Sequence, residues 1–211
     1  MRRITALRPG KGRGKRVNMF LNGKFALSLA AEIVAKEGLE VEQELSDEQI
    51  EALTRFSRVS LCYNAAALFL GHRPRSEPEL RDRLHQRGFD SDSVDAVVTR
   101  LKKQGLVDDT AFARLWKNNR ESFSPRSQWL TRLELKRKGI AEDIIDQTVT
   151  TIDDEDSAYR AALKKARNLT PSDYQSFRRR VGEHLKRRGF SYGVINHAVH
   201  RIWQDQVGNS G

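Results

Sequence analysis

The 211-residue chain carries 38% apolar side chains, enough for a buried core and too many for a wholly disordered polymer. Lys and Arg outnumber Asp and Glu by 38 to 28, a formal charge of +10 that favours a polyanionic partner, nucleic acid first. No run approaches the roughly 18 uninterrupted apolar residues of a membrane span, the basic start from Met1 to Arg16 lacks a signal-peptide core, and Cys62, the single cysteine, offers neither an intramolecular disulfide nor a thiolate zinc site, so a cytosolic protein is expected.

In chain order, the first elements are short alternating runs, Ile4 to Leu7, Val17 to Leu21 and Lys24 to Leu27. The last two flank Asn22-Gly23, a pair suited to a two-residue type I′ turn because both central residues there need positive φ. A small N-terminal β-hairpin extension is therefore expected. From Glu32 to Glu51 eight acidic residues face only Lys36, and Ser46 with Gln49 forms a capping box that should start a helix.

Beyond Ser60 the pattern is helical and repeats about every fifty residues. Leu84 to Phe89, Leu135 to Ile140 and Leu185 to Phe190 share a leucine, basic residues, a glycine and a large apolar residue, with Gly88, Gly139 and Gly189 spaced 51 and 50 apart. Downstream, Val94, Ile145 and Ile195 share one offset, Val98, Val149 and Val199 another, and Leu101, Ile152 and Ile202 a third, which together make one helix face. Upstream, Leu61, Phe112 and Ala162 match, as do Ala65, Trp116 and Ala166, and place an earlier helix in each repeat. Each repeat thus reads as three helices, its glycine ending the second in the left-handed conformation. Ser76 to Glu79 reads as a capping box and Thr170-Pro171 as a helix start. A mainly α fold follows, with tandem three-helix repeats in an elongated curved array. The expected boundaries are 1–45 for the hairpin and acidic segment, 46–108, 109–154 and 155–206 for the helical repeats, and 207–211 for a disordered tail.

Three such repeats, basic residues before each helix-ending glycine, and the stretch from Leu101 to Ala113 (LKKQGLVDDTAFA) resemble the RecX family, regulators of the RecA recombinase. The resemblance covers roughly residues 60 to 205. It implies a non-enzymatic protein that lies along the groove of the RecA filament on single-stranded DNA and modulates, mainly inhibits, strand exchange, ATP hydrolysis and coprotease activity; a monomer is expected. It brings no catalytic residues, cofactor or metal. Single-stranded DNA, with double-stranded DNA beside it, is the implied nucleic-acid partner.

Candidate contacts follow from charge. From Arg114 to Lys138 eight basic residues face two acidic ones, and from Arg160 to Phe190 ten face two. Arg132, Lys136, Arg137 and Lys138, then Arg178, Arg179, Arg180, Lys186, Arg187 and Arg188, are the expected filament- and DNA-binding residues, because aligned cations create potentials that isolated ones do not. Solvated helix faces are the plainer reading of the same residues. Arg8, Lys11, Arg13, Lys15 and Arg16 form a candidate N-terminal arm, with a hairpin loop tip and pairing to the acidic segment as its alternatives.

Trp116 is expected in the interior of its repeat. Trp129 is also assigned to the core, although its place near the start of a basic helix makes it the better candidate for stacking on a base. Asp108-Asp109 and Asp153-Asp154 are read as helix caps and not as a nuclease's metal-binding pair. His184, His197 and His200 show no recognised ligand spacing. A helical DNA-binding module working without a recombinase is the alternative function.

Overall fold

The computed structural model describes residues 1–10, 16–169 and 173–208. Four antiparallel strands come first in space, in the order β3-β2-β1-β4: β1 (Arg2–Pro9), β2 (Arg16–Leu21), β3 (Lys24–Ala30) and β4 (Glu44–Leu45). The Asn22-Gly23 turn has φ of 50° and 80°, as a type I′ turn requires. The expected hairpin, β2 and β3, is thus one side of a larger sheet, with β3 at its edge. The short helix α1 (Ala31–Lys36) and β4, which the acidic composition concealed, complete a core around Ile4, Met19, Leu29, Ile33 and Leu45.

Helix α2 (Asp47–His72) starts on the Ser46 capping box, both halves of which form. With α3 (Glu77–Gln86) and α4 (Ser91–Lys103) it makes the first repeat. The second is α5 (Asp109–Phe123), α6 (Gln128–Arg137) and α7 (Glu142–Val149), and the third α8 (Asp154–Ala166), α9 (Tyr174–Lys186) and α10 (Tyr192–Gly208). The chain is therefore mainly helical, with ten helices among the described residues. The Thr170-Pro171 start lies outside the described residues; α9 is capped by Asp173, which accepts the Ser176 N–H at 2.8 Å. Helix α10 runs two residues into the expected tail, to Gly208, and residues 209–211 lie outside the described ones.

Each second helix ends in the same hydrogen-bond pattern. The N–H of Phe89, Ile140 and Phe190 reaches back to the carbonyl of Leu84, Leu135 and Leu185, while the glycine N–H bonds the carbonyl one residue further on. This closure needs a left-handed residue, and Gly88, Gly139 and Gly189 have φ of 85°, 74° and 84°. The leucines are fully buried, so closing the helix and filling the core are one event.

The chain separates into two compact units. One holds the sheet, α1, α2, the body of α3, and α4, with helical core residues Cys62, Ala66, Leu80, Leu84, Val94, Val98 and Leu101. Leu61, which shares its repeat offset with the buried Phe112 and Ala162, is 42% exposed. Cys62, Ala65 and Ala66 supply the i, i+3, i+4 face, and one residue of helix turns the leucine about 100° away from it.

The other unit holds residues 75–79 and the chain from Asp108 onward. Within it, Ser76 Oγ accepts the Glu79 N–H at 3.3 Å and donates to the Lys138 carbonyl at 2.6 Å. Pro78 lies so close to Gly139 that an added Cβ would come within 2.6 Å of its ring. The next junction repeats the device: the Ser127 N–H donates to the Arg188 carbonyl at 3.1 Å, and a Cβ on Gly189 would meet Ser127 Oγ at 2.6 Å. The start of one second helix is thus seated on the glycine-terminated end of the next.

Candidate nucleic-acid interface

Helix α9 buries Phe177, Val181 and Leu185, spaced four apart, in a core shared with α8 and α10. That face turns Arg178, Arg179, Arg180 and Lys186 outward, and Arg187 follows them, all five exposed. None of the five pairs with a carboxylate among the described residues. Arg178 donates to the Tyr192 hydroxyl at 3.0 Å and to Asn196 Oδ1 at 3.4 Å, both neutral groups that leave its charge intact.

The second repeat, whose stretch from Arg114 to Lys138 carries eight basic residues against two acidic ones, spends most of its cations internally. Arg132 donates to Glu142 at 2.7 Å and also pairs with Asp146, contacts that hold its guanidinium above its usual pKa. Lys136 approaches Glu142 at 3.7 Å. Lys138 pairs with Glu79 at 3.3 Å and lies over the Trp116 ring. Glu134, only 8% exposed, gathers Trp116 Nε1 at 2.8 Å, Arg120 Nε at 2.9 Å and the Arg126 guanidinium. Burial lowers the pKa of both arginines, and Arg126 feels Arg120 and Arg188 as further like charges. Of the four expected contacts in this repeat, only Arg137 is exposed and unpaired among the described residues.

Two further expected contacts prove to be internal ties. Arg188 donates to His184 Nε2 at 2.9 Å, Ser124 Oγ at 2.7 Å and the Pro125 carbonyl at 3.0 Å, so its guanidinium joins the third repeat to the end of α5. Burial first, then Arg188, Lys165 and Arg187, push the His184 pKa down to about 4. Arg16 bonds Ser28 Oγ at 3.1 Å, the Ser28 carbonyl and Ser57 Oγ at 3.3 Å, fastening β2 to β3 and α2. Arg8 is exposed over the Phe20 ring at 5.2 Å, while Lys11, Arg13 and Lys15 lie outside the described residues.

Trp116 is packed as expected, stacked on Phe112 with centroids 5.8 Å apart. Trp129 corrects its assignment: it is 62% exposed, because its edge lies over the helix end at Gly189 while Thr131 and Leu135 take the buried face of α6. Sequence reasoning passed over Tyr192, which is 71% exposed. The available signal was its register: three residues after the glycine, the other repeats carry Ser91 and Glu142.

The aspartate pairs act as caps. Asp108 accepts the Ala111 N–H at 2.9 Å, and Asp153 accepts those of Glu155 and Asp156 at 2.9 and 3.1 Å. Among the described residues no group of three His, Cys, Asp or Glu side chains could hold a metal ion. His197 pairs with Glu155 at 2.8 Å. Cys62 is fully buried, and desolvation pushes its thiol up to about 11, which disfavours the reactive thiolate. No helix among the described residues is long and apolar enough to cross a membrane.

Four family models match the chain in order: the regulatory protein RecX N-terminal domain over residues 2–46, and the first, second and third RecX three-helix domains over 62–101, 108–149 and 153–199. A regulatory protein RecX of Clostridium botulinum (strain Eklund 17B / Type B) is 29% identical over 204 residues, covering 94% of this chain and 95% of the relative. One from Clostridium perfringens (strain SM101 / Type A) is 27% identical, covering 98% and 99%. Among solved structures, a crystal structure of regulatory protein RecX superposes with a TM-score of 0.66 at 24% identity, covering 94% of this chain and 98% of that one. RecX from Lactobacillus salivarius gives 0.58 at 22%, covering 69% and 96%, and both likenesses bear on the fold.

Proposed function

The chain belongs to the RecX family of regulatory proteins, and on that premise we propose that it binds the RecA filament on single-stranded DNA and restrains strand exchange, ATP hydrolysis and coprotease activity. It does so as a monomer in the cytoplasm, by occupying the filament and without chemistry, cofactor or metal. The observation carrying this reading is the set of exposed cations Arg178, Arg179, Arg180, Lys186 and Arg187, which lack carboxylate partners among the described residues. Aligned unpaired cations sum to a field that attracts a polyanion, whereas paired surface charges contribute little.

The same cations would suit bare DNA, which is the second reading: a helical DNA-binding module with no recombinase partner. Adding the purified chain to RecA filaments, and following ATP hydrolysis and strand exchange beside binding to uncoated single strands at the same salt, separates the two. Slowed hydrolysis and exchange, with tighter binding to the filament than to the bare strand, is the expected result. Equal binding with both activities untouched would replace the filament reading with the second one.

A further inference from the structure

The third repeat holds an open cleft of about 730 Å³ between α9 and α10, within the range of roughly 300–1,000 Å³ usual for small-molecule sites. Gly182, Phe190 and Ile195 contribute apolar lining, Arg178, Arg179 and Lys186 basic lining, and Tyr192 and Asn196 the α10 side; Glu183 is an acidic residue among them. Resting on the function proposed above, we propose that this cleft takes one nucleotide of single-stranded DNA, with the base stacked on Tyr192 and its flanking phosphates held by Arg179 and Lys186.

The Tyr192 ring is presented to solvent and not consumed by the core. Its register in the other two repeats is occupied by Ser91 and Glu142, so three-helix packing does not call for an aromatic residue here. Its hydroxyl is held by Arg178 at 3.0 Å, which anchors the ring before any ligand arrives and reduces the ordering lost on binding. Asn196 and Arg178 also keep the phenol below its usual pKa. Glycine is a poor residue for a helix interior, yet Gly182 stands in the middle of α9. A Cβ there would meet only Ile195 Cγ2, at an ordinary 3.7 Å. Packing does not demand the glycine, and its effect is to leave the cleft wider.

An exposed ring beside unpaired cations matches the way single strands are bound, with bases stacked on aromatic faces and phosphates tracked by Lys and Arg. A duplex keeps its base faces stacked inside, and an acidic peptide has no flat face to lay on the ring. The occupant is therefore a single strand.

The test uses the full chain, a fluorescent oligothymidylate, an abasic oligomer of equal length and a polyglutamate peptide, read by anisotropy at one salt concentration. Wild type should bind oligothymidylate more tightly than the abasic strand or polyglutamate. Tyr192→Ala should weaken the first by about 5- to 150-fold, the range of one base-on-aromatic stack, and leave the abasic affinity unchanged. Tyr192→Phe should retain most of the binding, with circular dichroism verifying that both variants fold. Equal wild-type affinity for the base-bearing and abasic strands, equal affinity for polyglutamate, or undiminished oligothymidylate binding by Tyr192→Ala would overturn the nucleotide site. Any of these beside intact inhibition of the filament would leave the broader function standing, whereas no binding and no inhibition would overturn both.

Discussion

The Asp154 carboxylate, in the first turn of α8, accepts the backbone N–H of Gln128 at the start of α6, at 2.7 Å. One repeat earlier, Asp109 accepts the N–H of Glu77 in the same way, also at 2.7 Å. The first aspartate of each pair caps its own helix, and the second satisfies an orphan N–H at the start of the preceding second helix. Doubled aspartates at these positions are therefore a joint between consecutive repeats.

Replacing Asp154 with Ala should cost about 1–2 kcal/mol, because it leaves that N–H without its partner. Asp154→Asn, which keeps an acceptor, should lose less. Thermal or urea unfolding measures both, and equal stability of all three proteins would show that the joint contributes nothing.

Gly88 and Gly189 have nearly the same positive φ but different surroundings: a Cβ on Gly88 meets nothing within 4 Å, whereas one on Gly189 meets Ser127 Oγ at 2.6 Å and Leu130 Cβ at 2.8 Å. Gly88→Ala should cost the conformational penalty alone, roughly 1–2 kcal/mol. Gly189→Ala adds a clash at the repeat junction, for a total of roughly 2–5 kcal/mol. Similar losses in urea unfolding would mean that the close approach at Gly189 carries no energy.

His184 should make stability depend on pH. Its pKa drops from the ordinary 6.5 to about 4 on folding, so between those values the unfolded chain takes up a proton that the folded chain refuses. The contribution of this residue is fully present above pH 6.5 and is lost as the pH falls toward about 4. His184→Gln should flatten that part of the stability profile measured by urea unfolding, and an unaltered slope would place the acid sensitivity in other groups.

Periodicity exposed the helical architecture because it reports burial directly. Leu84, Leu135 and Leu185 recur at one distance from glycines that must turn left-handed, and all are fully buried. Shared offset alone does not fix burial, since Leu61 is exposed and its neighbour Cys62 takes the core position. The candidate surface was less legible. Composition counts Arg132, Lys138, Arg188 and Arg178 as equal cations, but carboxylates ten or more residues away answer Arg132 and Lys138, and neutral groups brought in by the fold, on α9 itself and at the end of α5, hold Arg188. Glu134 shows the difficulty, since nothing in its local sequence announces that it will collect Trp116, Arg120 and Arg126. Tyr192 was visible only as a break in repeat register.

The most direct measurement is a salt titration of binding to RecA filaments on single-stranded DNA, comparing wild type with the combined Arg178→Gln, Arg179→Gln and Arg180→Gln protein. Three lost phosphate contacts should weaken binding and flatten the log–log salt slope by roughly 2, while Arg132→Gln, whose guanidinium already answers Glu142 and Asp146, should leave the slope unchanged. A triple variant with wild-type affinity and slope would contradict the assignment of the filament-binding surface to the third repeat.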